Sequence, residues 1–396
     1  MARRGYGTAL RWTAVGALVV VLAALPALIG ALPASDAAVS AAALRTRVLT
    51  SAGVAFSGYA ESAGGLSLPV TDQLTSVANL FSERSTMRVW WRGPADNRVD
   101  VVTASGETGT HTGPGTTWTW DYDRATATRT TGTPLALPAP PDLLPSAIGR
   151  RLVSEATAAE LSRLPARRIA GRDAPGLRLT PADKQTTINR VDVWADPDTG
   201  VPLRVEVGGV GLALPVVAAT YLDFSSDRPS AALTGYDPPT GLGIKVEGGN
   251  DDLAARIDSF ASVEPPRTLA GYPVRERLEG LGAIGTYGNG VTVLTAVPLP
   301  GRIAGPLGET LAKTPGVLDD PGTPTQGTLD TPDGQVTVFG PGVRTLLITV
   351  GPVSLLEVFV SGDDGPAWLL TGTVTADVLR RAGTELTGVP IPLRRR

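Results

Sequence analysis

The side chains that could carry covalent or metal chemistry are few. The 396-residue chain has no Cys and one His, His111. Disulfides, thiolate metal sites and a lipid-modified N-terminal Cys are excluded, and a Ser-His-Asp triad or His-based metal centre has a single imidazole to draw on. No G-x-S-x-G elbow surrounds Ser57 or any other Ser. Gly280-Leu281-Gly282-Ala283-Ile284-Gly285 has the G-x-G-x-x-G spacing of a dinucleotide loop, but such a loop must open a helix that receives the pyrophosphate. Here Thr286-Tyr287-Gly288-Asn289-Gly290 and the β-branched Val291, Thr292 and Val293 follow, so the next element is a strand and Asn289-Gly290 reads as a hairpin turn. The pairs Asp251-Asp252, Asp319-Asp320 and Asp363-Asp364 each sit beside Gly or Pro without the ligand spacing of an EF-hand, and read as solvated turns. The sequence therefore predicts a protein that is not an enzyme, with no cofactor and no metal.

Apolar binding is what remains. Met87, Val89 and Trp91 alternate with polar residues, as do Trp118, Trp120 and Tyr122, so each set lies on one side of a strand. Leu74, Leu80 and Phe81, and Leu143, Leu144 and Ile148, fall at helical spacing and are expected to form a lid over that wall. The competing reading is an ordinary packed core, because alternation shows only that one sheet face avoids water.

The elements that would position these residues are mostly strands. With 47 Gly and 34 Pro, turns are frequent, and 42% hydrophobic content is enough for real cores. A short helix is expected over 38–50, from Val39, Leu44, Val48 and Leu49. Strands are expected over 87–92, 98–103, 117–122, 126–131, 176–180, 188–195, 202–207 and 216–224, joined by short turns into an antiparallel sheet. Helical pieces are expected at 70–83 and 142–164. A break at Tyr236-Asp237-Pro238-Pro239-Thr240-Gly241 marks a linker. Beyond it, helices at 253–262 and 375–386 and strands at 272–279, 291–297, 334–339, 344–350 and 355–360 predict a smaller α+β unit. The domains are thus 38–235, a linker over 236–252, and 253–396.

Arg3, Arg4 and Arg11 precede an uncharged run from Ala14 to Leu32, which ends in Pro33-Ala34-Ser35-Asp36-Ala37. Residues 1–37 read as an export signal cut after a small-x-small site, or as an anchor retained through 12–34. Either way the remainder is expected outside the cytoplasmic membrane. A net charge of −3 without a basic stripe speaks against nucleic acid as a partner.

Arg178-Leu179-Thr180-Pro181, followed by Val191-Asp192-Val193-Trp194-Ala195 and the turn Asp196-Pro197-Asp198-Thr199-Gly200 into Val201-Pro202-Leu203-Arg204-Val205, resembles the central hairpin of the LolA/RseB superfamily. Gly58, the stretch Trp118 to Asp123 and Tyr221-Leu222-Asp223-Phe224 fit as well. The segment from Leu269-Ala270-Gly271-Tyr272 through Tyr287-Gly288-Asn289-Gly290-Val291 to Thr371-Gly372-Thr373-Val374 is similar to the small C-terminal domain of RseB-type proteins. The resemblance implies a mainly β fold, an incomplete antiparallel β-barrel covered by helices and followed by a smaller α+β domain. It implies a protein of the cell envelope that binds lipid or lipoprotein acyl chains as a sensor or a carrier, with a membrane protein such as an anti-sigma factor or an exporter component as partner. The alternatives are a pure RseB-like regulator of an anti-sigma factor, and a structural envelope protein with a filled core and no ligand.

Overall fold

The first described helix, α1 (Ala41–Thr50), begins where Ser40 accepts a hydrogen bond from the amide of Ala43 and so caps it, and its buried face carries Leu44 and Val48. In this computed structural model the described residues are 33–64, 84–103, 106–131, 139–238, 244–248, 265–275, 284–299, 328–331, 334–339, 343–360 and 367–387, with isolated positions at 12, 15, 16, 19 and 304. The helix expected over 70–83, with Leu74, Leu80 and Phe81, the helix at 253–262, the three acidic pairs and most of the run from Ala14 to Leu32 lie outside them. Among the described residues no helix is long and apolar enough to cross a membrane.

After α1 come β1 (Phe56–Gly64), β2 (Arg84–Gly93), β3 (Asp96–Val102), β4 (Glu107–Gly113), β5 (Thr116–Asp121) and β6 (Thr126–Thr131). The helix α2 (Pro145–Val153) is followed by β7 (Leu161–Ile169), β8 (Arg172–Leu179), β9 (Ile188–Ala195), β10 (Pro202–Gly209), β11 (Pro215–Ser225), the one-turn α3 (Ala231–Thr234) and β12 (Ile244–Gly248). These strands form one twelve-stranded sheet in the order β12-β6-β5-β4-β3-β2-β1-β11-β10-β9-β8-β7. The sheet is open rather than closed into a barrel, and mainly antiparallel. The exception is β12, which adds in parallel to β6 and draws part of the expected linker into the sheet edge.

Helix is also shorter than the pattern over 142–164 suggested. It ends at Val153, and β7 starts at Leu161 after a turn in which the Glu160 carboxylate accepts from the amide and hydroxyl of Thr157. As an edge strand, β7 accommodates Pro165, at a register irregularity between Leu164 and Arg167. The strand β4 has no large apolar side chain in Glu107-Thr108-Gly109-Thr110-His111-Thr112-Gly113 and is hidden from a pattern search; pairing on both sides with β3 and β5 makes it a strand.

The Asp196–Gly200 turn is built as its residues require. One oxygen of Asp196 accepts from the amides of Asp198 and Thr199 and from the Thr199 hydroxyl at 2.8–3.1 Å, and Gly200 sits at φ +74. A Cβ at Gly200 would stand 2.5 Å from the carbonyl oxygen of Arg47, so this glycine also lets α1 rest on the hairpin.

The second unit carries the short pair β13 (Thr268–Leu269) and β14 (Tyr272–Pro273), then β15 (Gly285–Tyr287), β16 (Leu294–Leu299), β17 (Thr328–Thr331), β18 (Gly334–Phe339), β19 (Val343–Val350), β20 (Val353–Val360), β21 (Ala367–Gly372) and α4 (Ala376–Thr387). Its seven-stranded sheet runs β15-β16-β21-β20-β19-β18-β17, and Val378, Leu379 and Ala382 of α4 enter its core with Leu356, Val358 and Leu370. Joined to β16, β15 places Asn289-Gly290 in a hairpin connection, and Gly285 in a strand rather than at a helix N-terminus.

Candidate functional site

Register decides which side chains share a face. Across β1 to β5 the directly opposed residues run Ala60, Met87, Val101, Thr108, Asp121 in one row and Gly58, Val89, Val99, Thr110, Thr119 in the next. On the other side, Tyr221 and Phe224 of β11 oppose Ala60 and Gly58, and Ala219, on the same face as Tyr221, heads a further row through Val205, Val193 and Leu177. Charge enters these rows only at their ends, at Asp121 of β5 and at Arg163 of β7, which opposes Leu177. Toward β8–β11 and β1–β3 the face is apolar and closed: Met87 and Val89 are essentially inaccessible, in one cluster with Trp91, Leu143, Leu144, Tyr221 and Phe224. Toward β4–β6 it becomes a carpet of threonines, of which Thr108, Thr112, Thr117, Thr119, Thr128 and Thr130 are half-buried.

Trp118 and Trp120 belong to the opposite face. Their opposed partners are His111 and Gly109, which in turn oppose Arg98 and Asp100, and these oppose Trp90 and Arg88. The single wall expected from Met87, Val89, Trp91, Trp118, Trp120 and Tyr122 is therefore two walls, because in Thr117-Trp118-Thr119-Trp120 the threonines, not the tryptophans, share the face of Met87. Tyr236, beyond α3, covers this second wall, with its ring 5.3 Å from Trp118, 6.3 Å from Trp120 and 4.9 Å from His111. The guanidinium of Arg98 lies 4.9 Å over Trp90, is bidentate to Asp100, and donates to the Tyr122 hydroxyl at 3.2 Å. His111 donates from Nδ1 to the carbonyl of Thr234 at 3.0 Å, and burial pushes its pKa below the usual value. A cavity of about 300 Å³ opens beside Thr116, Trp118 and Tyr236.

The roof over the first face is small. A turn at Pro140–Leu143, in which the Asp142 carboxylate accepts from the amide of Ala139, delivers Leu143 and Leu144 into the cluster. Pro145 then starts α2 at its first turn, where a missing N–H costs nothing. A Cβ on Gly149 would stand 2.8 Å from Pro202, which is the close approach that seats α2 on β10. Ile148 packs against a neighbouring cluster containing Leu44, Val153 and Val205. Inside the roof, the hydroxyls of Ser146 and Tyr221 lie 3.1 Å apart, both fully buried, and burial raises the phenol's pKa. Arg150 follows one turn later, with Nη1 shielded from solvent and without a hydrogen-bond partner.

A seam joins this domain to the second. Thr187 donates its amide to the Thr373 carbonyl, Thr375 donates to Gln185, and the Tyr272 hydroxyl donates to Asp183 at 2.7 Å. Glu155, two residues past α2, pairs with Arg275 at 3.2 Å and accepts from the amide of Gly290 at 2.6 Å. A cavity of about 590 Å³ lies in the seam, with Glu160, Asp183, Tyr272 and Gly290 among its walls. Among the described residues no group of three or more His, Asp or Glu side chains could hold a metal ion.

Of the expected site residues, the fold brings together Met87, Val89, Trp91, Leu143 and Leu144, sets Ile148 beside them, and puts Trp118, Trp120 and Tyr122 on the far side. Sequence reasoning missed Ser146, Arg150 and the threonine rows. The alternation of Thr with Trp is itself the signal for the latter, and it becomes readable only once the register is known.

No protein-family model matches the chain, and no curated protein sequence matches it. Among solved structures it is similar to the complex of MucA and MucB from Pseudomonas aeruginosa, at 15% identity over 87% of this chain and 96% of that one, with a TM-score of 0.46. MucB solved by itself matches at 13% identity over 88% and 96%, with a TM-score of 0.40. A LolA superfamily protein of Nitrosomonas europaea matches at 13% identity over 50% of this chain and 99% of that one, with a TM-score of 0.24. At these identities and TM-scores the matches carry no argument about what this chain does.

Proposed function

We propose that this protein is an extracytoplasmic, non-enzymatic binding protein that holds an acyl chain against the helix-covered face of its large sheet and serves the cell envelope as a sensor or carrier. The observation that supports this most directly is the face itself, which passes from a closed apolar cluster at Met87 and Val89, roofed by one turn and a nine-residue helix, into half-buried threonine rows at Thr108 to Thr119. An apolar chain needs only such a surface. At about 0.8 kcal/mol per buried methylene, a long acyl chain gains on the order of 10 kcal/mol before the cost of ordering it. Met87, Val89, Trp91, Leu143, Leu144 and Ile148 are the proposed contacts, and entry requires Leu143 and Leu144 to lift.

The sensor form is favoured by Glu155. It follows the roof helix directly and grips Arg275 and Gly290, so a lifted roof pulls on the second domain. A membrane protein such as an anti-sigma factor is the partner that the sequence resemblance suggests for this form, and an exporter component for the carrier form.

The test is lipid extraction and native mass spectrometry of protein purified from its own host, with titration of a fluorescent fatty acid. Copurifying lipid and saturable probe binding are expected. Thr119→Phe, which fills the threonine rows, should weaken the probe at least tenfold while the melting temperature shifts by only a few degrees. A chain that carries no lipid and never binds the probe is the filled structural protein instead.

A further inference from the structure

Among the described residues Arg150 is a cation without an anion. Its Nη1 is shielded from solvent with no hydrogen-bond partner, and no carboxylate among the described residues pairs with its guanidinium. Other arginines of this domain behave differently: Arg98 is bidentate to Asp100, Arg178 to Asp192, and Arg204 reaches Glu206 at 2.8 Å. Arg150 as a whole is half-buried, but a guanidinium nitrogen shielded from water is costly when unpaired, and native structures normally satisfy it. Its surroundings supply further polarity of the right kind. Ser146 lies one helical turn before Arg150 on α2, and its hydroxyl shares one hydrogen bond with that of Tyr221. Two hydroxyls contain two O–H groups, and the bond between them uses one, which leaves the other free to donate. Tyr221 opposes Ala60, and Ala60 opposes Met87, so this cluster stands in the same row as Met87.

We propose that Arg150, with the Ser146–Tyr221 hydroxyl pair, is the subsite for the anionic headgroup of the bound amphiphile, a carboxylate or phosphate monoester on a single alkyl chain. Fork-shaped Arg donors match both groups. This rests on the acyl-chain reading and sharpens it, because that reading alone asks for no polar contact. When the headgroup is bound the guanidinium is neutralised, and when it is absent the roof helix carries an uncompensated charge toward the core. Ligand charge, and not chain length alone, then sets how firmly the roof closes.

The test uses the full chain with dodecanoate, methyl dodecanoate, dodecyl phosphate and inorganic phosphate as probes, followed by calorimetry and thermal melting. Wild type should bind the acid and the alkyl phosphate at least tenfold more tightly than the ester, and inorganic phosphate should neither bind nor stabilise at millimolar concentration. Arg150→Met should lose that preference, bind the ester within about twofold of wild type, and melt at a higher temperature than ligand-free wild type. Arg150→Lys should keep part of the preference. If acid and ester bind equally, and Arg150→Met changes neither, the headgroup subsite is wrong while the acyl reading stands. Inorganic phosphate binding as tightly as dodecyl phosphate would mark a free-oxyanion site and overturn the proposal. Failure of all three alkyl probes would overturn both readings.

Discussion

The two faces of the large sheet are built from the same strands and use aromatic residues in opposite ways. On the helix-covered face, Trp91 stacks 5.9 Å from Phe56 within a cluster closed by Leu143 and Leu144. On the other face, Trp90, Trp118 and Trp120 are half-buried among Arg98, Arg129, His111 and Tyr236, where the guanidinium of Arg98 sits over Trp90 and that of Arg129 over Trp118. A tryptophan is thus no marker of a greasy groove. Its neighbours across the strands decide whether it lines a core or supports a polar surface layer.

The largest effect expected from this contrast is at Val89. Val89→Asp would put a carboxylate into the closed cluster with nothing to pair it, and should cost about 4 kcal/mol or more, enough to abolish a cooperative melt. A soluble variant with a near-native denaturant midpoint would mean that this face is wet and open.

A smaller change is expected at Trp118. Trp118→Glu places the carboxylate beside Arg129 and the rim of Tyr236, so stability should fall by only about 1 kcal/mol and fluorescent fatty-acid binding should stay within twofold. Loss of probe binding with an intact melt would move the ligand to the outer face and reverse the assignment.

The smallest effect concerns pH. His111 is held neutral by burial, facing the carbonyl of Thr234 together with the charges of Arg98 and Asp100. Its folded pKa is depressed below the unfolded value near 6.5, so its contribution is present above that value and is lost as pH falls toward the folded pKa. Between about pH 7 and about pH 5 the wild type should lose more melting temperature than His111→Gln. Parallel slopes would show that the imidazole does not anchor the segment after β11.

Much of this was legible in the chain itself. The period-two runs announced β2, β5, β6, β9, β10 and β11, although burial itself alternates clearly only in β2. The Asp196–Gly200 turn was fixed locally, by an Asx-type carboxylate and a glycine at positive φ. Three things were not legible, for physical reasons. The strand β4 has almost no apolar side chain, and exists because neighbours on both sides satisfy its backbone. Residues 154–164 follow a helical apolar pattern, yet Leu161 and Leu164 pair with β8 instead. Part of the Pro- and Gly-rich stretch after Tyr236 gains a parallel partner in β6, which no local signal announces.

Composition and order alone determined that the chain forms a β-rich, two-part protein without thiol chemistry, because residue types and turn signals act over a few residues. Which face of β5 meets Met87 was decided only in three dimensions. A strand offers both faces equally, and a register shift of one residue exchanges Thr119 for Trp120. The same holds for Arg150: in sequence it is one arginine of a helix, and only the packing of α2 over Tyr221 leaves its Nη1 shielded and without a partner among the described residues.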